Sequence, residues 1–386
     1  VNNYRFQSTT EIIFGKGTEK DVGIEVAKYA KKALVVSYGQ PFEQELMTVI
    51  RDSLDGQGIE SFKLNGIKPN PEEKKVYEGI GVVRENEIPF ILAVGGGSVI
   101  DTAKAIGFGA KYDGNFWDFF TDKPIKETLP TGVVLTFPAT GSEASNGCVI
   151  SNKELGVKRA VGSPLIRPKF AILNPELTYT LPAFQTFCGI VDMMSHVMER
   201  YFSNTTKTDL TDRLCEAILK SVIRNALILL EKPQDYDARA EIMWASTLAH
   251  NGLVGTGRSQ DWASHMIGHE LSAMYDSTHG ATLSVITPAW AKYVYNANLS
   301  RFVQFAMRVF DVEYDIDCEE RTALEGIRRL EQFFKRLNVP TTLKELGVES
   351  DEKYLDMAEK ACRHKPIGDI KKLDAEDVCK ILKLAE

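Results

Sequence analysis

In the first half of the chain, apolar residues come in short unbroken runs separated by amphipathic stretches. Ala33–Ser37 (ALVVS), Phe90–Val94 (FILAV), Gly132–Thr136 (GVVLT) and Phe170–Leu173 (FAIL) lack the alternation of a half-exposed strand. Such runs suit a parallel sheet covered on both faces. A further strand-like segment, ESFKLNG, ends at Gly66, and helical periodicity runs over Glu19–Ala30, Glu43–Leu54, Glu72–Asn86 and from Val99 to about Ala110. Strands alternating with helices predict an α/β domain. From Ala183 onward helix follows helix, over 183–203, 208–231, 237–251, 261–275, 283–296, 299–310, 319–337, 351–361 and 374–385. Pro175 and Pro182, in LNPELTYTLP, punctuate the change and place a boundary near residue 178. The expected organisation is an α/β domain over 1–178 and an all-helical domain over 179–386, without repeats or low-complexity segments.

Composition narrows the classes. A chain of 386 residues with 44% hydrophobic and 26% charged content is long enough for two cored domains. The net charge of -7 and the absence of a basic run give no sign of a nucleic-acid or anionic-membrane partner. No apolar run approaches the roughly 18–20 residues of a membrane span. The opening VNNYRFQSTTEIIFG is not built like a secretory signal. The six cysteines are scattered without a C-x-x-C pair, which argues against a disulfide framework and a zinc ribbon. Reduced, buried thiols in a cytoplasmic protein are the expected state.

Three features carry chemistry. Gly95-Gly96-Gly97-Ser98 follows the FILAV run and precedes a helix, so backbone amides there can approach a phosphate at a helix N-terminus. It matches neither G-x-G-x-x-G nor the Gly-Lys-Ser/Thr phosphate loop, and a purely structural turn would look the same. Thr140, Gly141 and Ser142, in TFPATGSE, follow a second apolar strand, where open α/β sheets bind ligands. Histidines are the third feature. Four of the six, His250, His265, His269 and His279, fall in one stretch. Asp192 and His196 lie one helical turn apart, as do His265 and His269. A core histidine paired with an acid explains Asp192 and His196 alone; together with His265 and His279 they form a candidate four-ligand set for Fe(II) or Zn(II). The His265/His269 pair lacks the Glu of a metalloprotease helix, so peptide hydrolysis fits poorly.

The segments GGGSVIDTAK (95–104), ATGSE (139–143), GIVDMMSHVMERYF (189–202) and DWASHMIGHELSAMYDSTHGATL (261–283) together resemble the iron-containing alcohol dehydrogenase family, in particular its butanol dehydrogenase-like branch. The resemblance runs from Phe14 to the LDAEDVCKIL ending. It implies a dehydroquinate synthase-like fold, with a dinucleotide-binding α/β domain followed by an all-helical metal and substrate domain. It also implies one divalent metal on Asp192, His196, His265 and His279. His269 then neighbours substrate and nicotinamide and becomes the candidate for the proton route, with a water chain or a cofactor ribose hydroxyl as alternatives. Cofactor contacts carry over to Asn70, Gly96, Gly97, Ser98, Thr140, Ser142, Lys158, Thr178 and Leu181. The implied reaction is metal-assisted hydride transfer between NAD(P)(H) and a primary alcohol or aldehyde, by a homodimer.

Three positions depart from the family pattern. Asn174 stands where Asp is frequent, Phe187 where a small residue is usual before the metal-binding Asp, and His250 where many relatives carry a small or apolar residue. Phe187 and His250 put the substrate range in doubt rather than the reaction. After the first strand, Ser37-Tyr38-Gly39-Gln40 offers no acid to bond a ribose 2′-hydroxyl, which leans the cofactor toward NADP over NAD. The nearest rival is a same-fold glycerol dehydrogenase-like or dehydroquinate synthase-like enzyme; DMMSH and STHGATL fit the synthase less well, and a synthase shows no net change in NAD(P)H. A non-catalytic metal or nucleotide module would have no need to keep these features together.

Overall fold

The computed structural model describes residues 1–363 and 365–386 and divides into two units, Ser8–Leu181 and a helical unit of Pro182–Glu386 that also takes in Val1–Gln7. The chain passes from one unit to the other between Leu181 and Pro182, and the short 3-10 helix Pro175–Thr178 lies in the first.

The first unit is built on β1 (Glu11–Phe14), β2 (Lys32–Val36), β3 (Glu60–Leu64), β4 (Ile91–Gly96), β5 (Thr131–Phe137), β6 (Gly147–Asn152), β7 (Val157–Gly162) and β8 (Phe170–Leu173). Six of them form one sheet in the order β1-β8-β5-β4-β2-β3, with every neighbouring pair parallel. The apolar runs build its interior: Leu34, Ile91, Val94, Val134 and Ile172 are inaccessible to solvent. Helices α1 (Val22–Ala27), α2 (Gln44–Gly56), α3 (Glu73–Glu85) and α4 (Gly97–Ala110) connect the strands. From β3 the chain crosses β2 to add β4 on its other side, so the strand order reverses at β2 and β4. In open α/β sheets the crevice beyond the carboxyl ends of such strands is where ligands bind.

Strand β1 and the antiparallel pair β6–β7 were not expected from the pattern. Both are short and partly polar; β1 pairs with the distant β8, while β6 and β7 form a hairpin with each other. The ribbon docks on the turn before α3, where Ser151 N–H donates to Pro71 O at 2.8 Å. Asn174 has a physical reason to differ from Asp. Its amide nitrogen donates to the Glu19 carboxylate at 2.8 Å, with both residues buried, and a second acid there would face it unpaired.

The helical unit contains α5 (Ala183–Tyr201), α6 (Asp209–Glu231), α7 (Tyr236–His250), α8 (Ala263–Tyr275), α9 (His279–Val294), α10 (Leu299–Val309), α11 (Glu319–Arg336), α12 (Tyr354–Cys362) and α13 (Ala375–Leu384). No strand occurs among its described residues beyond an isolated bridge of Ile367 with Leu373. Helix α5 is the unit's axis, buried at every position from Thr186 to Tyr201 and packed against α6, α7 and α9. Phe187 belongs to this helical core and is 5% exposed.

A charged knot ties α5's neighbours together. Asp212 accepts from Arg258 at 2.5 Å and from Arg301 at 2.7 Å, all three buried. Burial pushes the Asp212 carboxyl up, but the Arg301 hydrogen bond and its companions outweigh it and hold the pKa below the usual value. A depressed carboxylate contributes stability above its unfolded pKa of about 3.9 and loses it as the pH falls through the folded value. Asp212→Asn therefore leaves two buried guanidinium groups short of a charge. We expect a loss of about 3–5 kcal/mol, read as a lower urea midpoint at neutral pH that converges on the parent under acid conditions.

Candidate metal centre and nucleotide-binding turn

Asp192 and His196 project from one face of α5, His265 lies in the first turn of α8, and His279 is the first residue of α9. Asp192 Oδ1 lies 3.4 Å from His196 Nε2, 3.7 Å from His265 Nε2 and 3.8 Å from His279 Nε2. Asp192, His265 and His279 each present a donor atom within 4.8 Å of the other two. Donors roughly 2.0–2.2 Å from a shared tetrahedral ion sit about 3.3–3.6 Å apart, close to what is seen. Asp192 Oδ1 and His265 Nε2 are both buried without a hydrogen-bond partner. Such an orphaned atom costs about 1–3 kcal/mol, and a cation relieves both. The donor set fits Fe(II) and Zn(II) alike.

Sequence reading missed the residue that organises this centre. Glu199 stands seven positions after Asp192 and three after His196, on the same face of α5. Its carboxylate accepts from His265 Nδ1 at 2.8 Å, from His265 N–H at 3.0 Å and from Trp262 N–H at 2.6 Å. One side chain thus caps the N-terminus of α8, where negative charge is favoured, and fixes the tautomer that leaves His265 Nε2 available as a donor. Burial opposes the His265 imidazolium, but Asp192 and Glu199 outweigh it and raise the pKa. His196 goes the other way: burial, then the neighbouring His250, His265 and Arg200, hold it well below its ordinary value and therefore neutral.

His279 owes its position to Gly280. A Cβ on Gly280 would lie 2.0 Å from the carbonyl oxygen of Cys188, so only glycine lets the start of α9 lie against α5. This also explains why α9 begins at His279 rather than at the expected 283: the apolar pattern starts later than the helix. His269, on α8, is half-buried with its ring 5.0 Å from that of His279 and 6.3 Å from that of His265.

In the first unit, β4 runs into α4 through Gly95, Gly96, Gly97 and Ser98, with a register irregularity between Gly95 and Gly96. Gly97 and Thr140 are brought together so closely that a Cβ on Gly97 would meet Thr140 Oγ1 at 2.6 Å. The Tyr38 hydroxyl accepts from Gly96 N–H at 3.1 Å, joining the carboxyl ends of β2 and β4 at the switch point. Asn70, in a left-handed conformation with φ 55°, accepts from Lys158 Nζ at 2.9 Å, so two expected cofactor contacts are partners.

Ser142 is held within the protein by two residues of α4. Its hydroxyl donates to Asp101 at 2.6 Å and accepts from the buried Lys104 at 2.9 Å, which fastens the 140–146 loop to α4. Thr178 is equally committed, its hydroxyl bonded to Pro175 O at 2.7 Å. Leu181, half-buried, donates its N–H to Thr178 O at 3.1 Å. The loop after β2 also holds an acid beyond the window of 37–40: Glu43 folds back to accept from Gly39 N–H at 2.7 Å and Gln40 N–H at 3.3 Å.

The family model for "Iron-containing alcohol dehydrogenase" matches residues 9–175, and that for the "Fe-containing alcohol dehydrogenase family, C-terminal" matches residues 186–385. The chain belongs to the iron-containing alcohol dehydrogenase family. It is 41% identical over 385 residues to the "Probable NADH-dependent butanol dehydrogenase 1" of Bacillus subtilis, covering 99% of each chain. It is 38% identical over 353 residues to an NADPH-dependent aldehyde reductase of Escherichia coli, covering 90% of each. The crystal structure of the NADH-dependent butanol dehydrogenase A of Thermotoga maritima superposes with a TM-score of 0.95 at 36% identity, covering 100% of this chain and 98% of that one.

Gly280→Ala should displace the start of α9 and His279 with it. The expected result is metal content well below one equivalent by elemental analysis, in a protein that keeps its helical circular dichroism.

Proposed function

We propose that this chain is a metal-dependent, NAD(P)(H)-linked alcohol dehydrogenase and aldehyde reductase acting on short primary alcohols and aldehydes such as butanol and butyraldehyde. The observation that carries the reading is the orphaned Asp192 Oδ1 facing three imidazole nitrogens, in a chain whose relatives carry butanol dehydrogenase and aldehyde reductase names. Asp192, His196, His265 and His279 would hold one Fe(II) or Zn(II) ion, which supplies Lewis acidity for negative charge developing on a substrate oxygen. The nicotinamide cofactor supplies the hydride.

The remaining work falls to the chain's own groups. Glu199 keeps His265 in one tautomer and orientation. His269, beside His279 and half-buried, is the candidate to carry a proton to or from the reacting oxygen, since an imidazole can exchange protons near neutral pH. Gly96, Gly97 and Ser98 offer amides at the N-terminus of α4 to a cofactor phosphate, with Thr140 against them. The Asn70–Lys158 pair contributes a cation and an amide to the same cofactor. The loop at 37–40 leaves room for the 2′-phosphate of NADP, while the nearby Glu43 carboxylate supports use of NAD as well.

No helix of the described residues is long and apolar enough to cross a membrane. All six cysteines are free thiols, which supports residence in the reducing cytoplasm. Two copies are proposed to associate, because β1 is an edge strand that leaves Phe14 41% exposed.

A spectrophotometric panel of alcohols and aldehydes with NADH and NADPH, with Fe(II) or Zn(II) added, tests the activity. Butyraldehyde should consume reduced cofactor stoichiometrically, whereas a synthase would show no net change. His265→Ala should lose bound metal and turnover together; full activity in metal-free protein would overturn the reading. Sedimentation equilibrium should return twice the chain mass, and a monomer at micromolar concentration would remove the dimer.

A further inference from the structure

One contact behind the metal cluster has no part in the function proposed above. His250, the last residue of α7, sets its Nδ1 2.8 Å from Nδ1 of His196, the rings crossing at 79° with centroids 4.1 Å apart. Two imidazole nitrogens at that separation need a proton between them, because facing lone pairs repel. Arg200, one turn after His196 on α5, decides which ring carries it.

The guanidinium has donors only. Its Nη1 is committed to the carbonyl oxygen of His196 at 2.6 Å and lies 3.4 Å from His196 Nδ1, while its Nη2 points at His250 Nδ1 at 3.3 Å. The group is itself fixed, 4% exposed and stacked over the Trp262 ring at 4.5 Å. Nη1, already given to the carbonyl, is the weaker claimant on His196, whereas Nη2 calls for a lone pair on His250 Nδ1; of the two groups facing His196 Nδ1, only His250 can accept a proton from it. The shared proton then resides on His196 Nδ1 and is donated to His250.

The consequence lies on the far side of the His196 ring. With its proton on Nδ1, neutral His196 presents a lone pair from Nε2, the nitrogen 3.4 Å from Asp192 Oδ1. With the proton on His250 instead, Nε2 of His196 would carry hydrogen and could not act as a ligand. The number of protons on the pair is the same in both arrangements; only their placement changes. We propose that His250, oriented by Arg200, is a positioning residue that fixes the ligand tautomer of His196, as Glu199 does for His265. The inference rests on the metal-site reading above and assigns work to a residue that reading leaves idle.

The test is a Co(II) titration of chelator-treated full-length protein, following the visible d–d absorption for affinity and coordination geometry. In His250→Phe, which keeps a ring and removes both nitrogens, Co(II) should bind about 10–100-fold more weakly, with an altered band shape. His250→Asn places an amide oxygen where Nδ1 stood and should recover affinity and spectrum close to the parent. A Phe variant with parental affinity and spectrum overturns the proposal, as does an Asn variant as impaired as Phe. If the Phe variant does not fold, Asn is compared with His250→Gln, whose acceptor is displaced by one methylene. Asn binding more tightly than Gln supports the proposal, and equal losses overturn it. A parent protein that binds no Co(II) removes the metal-site reading and this inference together, whereas a binding parent with an indifferent His250 removes the inference alone.

Discussion

A buried carboxylate oxygen with no hydrogen-bond partner is the constraint around which the helical unit is arranged. Asp192 Oδ1 sits inside α5, a helix with no exposed residue from Thr186 to Tyr201. Leaving such an atom dry and unpaired is unfavourable by an amount comparable to a sizeable fraction of a domain's net stability. The helices bring three imidazoles to it, and each is supplied by a different device: His196 by the pitch of α5 itself, His265 by the capped start of α8, His279 by a glycine that allows α9 to approach. The arrangement leaves Asp192 Oδ1 and His265 Nε2 buried and unpartnered, facing one another.

Rigidity comes from the layer behind. Glu199 serves a helix terminus and an imidazole at once, so α8 cannot shift without disturbing His265. Arg200 does the same for α5 and α7, bonding a carbonyl on one and facing an imidazole on the other. Further out, Arg258 donates to the Arg200 carbonyl at 3.1 Å as well as to Asp212, which links the histidine cluster to the charged knot on α6 and α10. Buried ion pairs of this kind add little net stability over apolar packing, but they fix one geometry where a donor set needs it.

Much of this was legible in the chain. The unbroken apolar runs gave the central strands, the 3.6-residue periodicity gave the helices, and the spacing of Asp192, His196, His265 and His279 marked side chains that the fold brings together. What escaped did so for physical reasons. Strands β1, β6 and β7 are short and partly polar, and only their pairing partners make them strands. Glu199 and Arg200 sit in a stretch that reads as an ordinary amphipathic face, although their spacing from Asp192 and His196 was a usable signal. His250 stood out only as one histidine of a crowded stretch; its contact with His196 depends on α7 ending beside α5. The bonds of Ser142 to Lys104 and Asp101 were equally hidden, because both partners come from α4, some forty residues earlier in the chain.

The Tyr38 hydroxyl on the Gly96 amide bears on how a coenzyme comes and goes. Burial pushes this phenol's pKa up to about 12, so it stays neutral and can accept the amide proton at any working pH. The amide is thereby satisfied within the protein, by a hydroxyl from the loop after β2. The same occupancy means that an arriving phosphate exchanges one hydrogen bond for another instead of adding one, which trims the gain on binding.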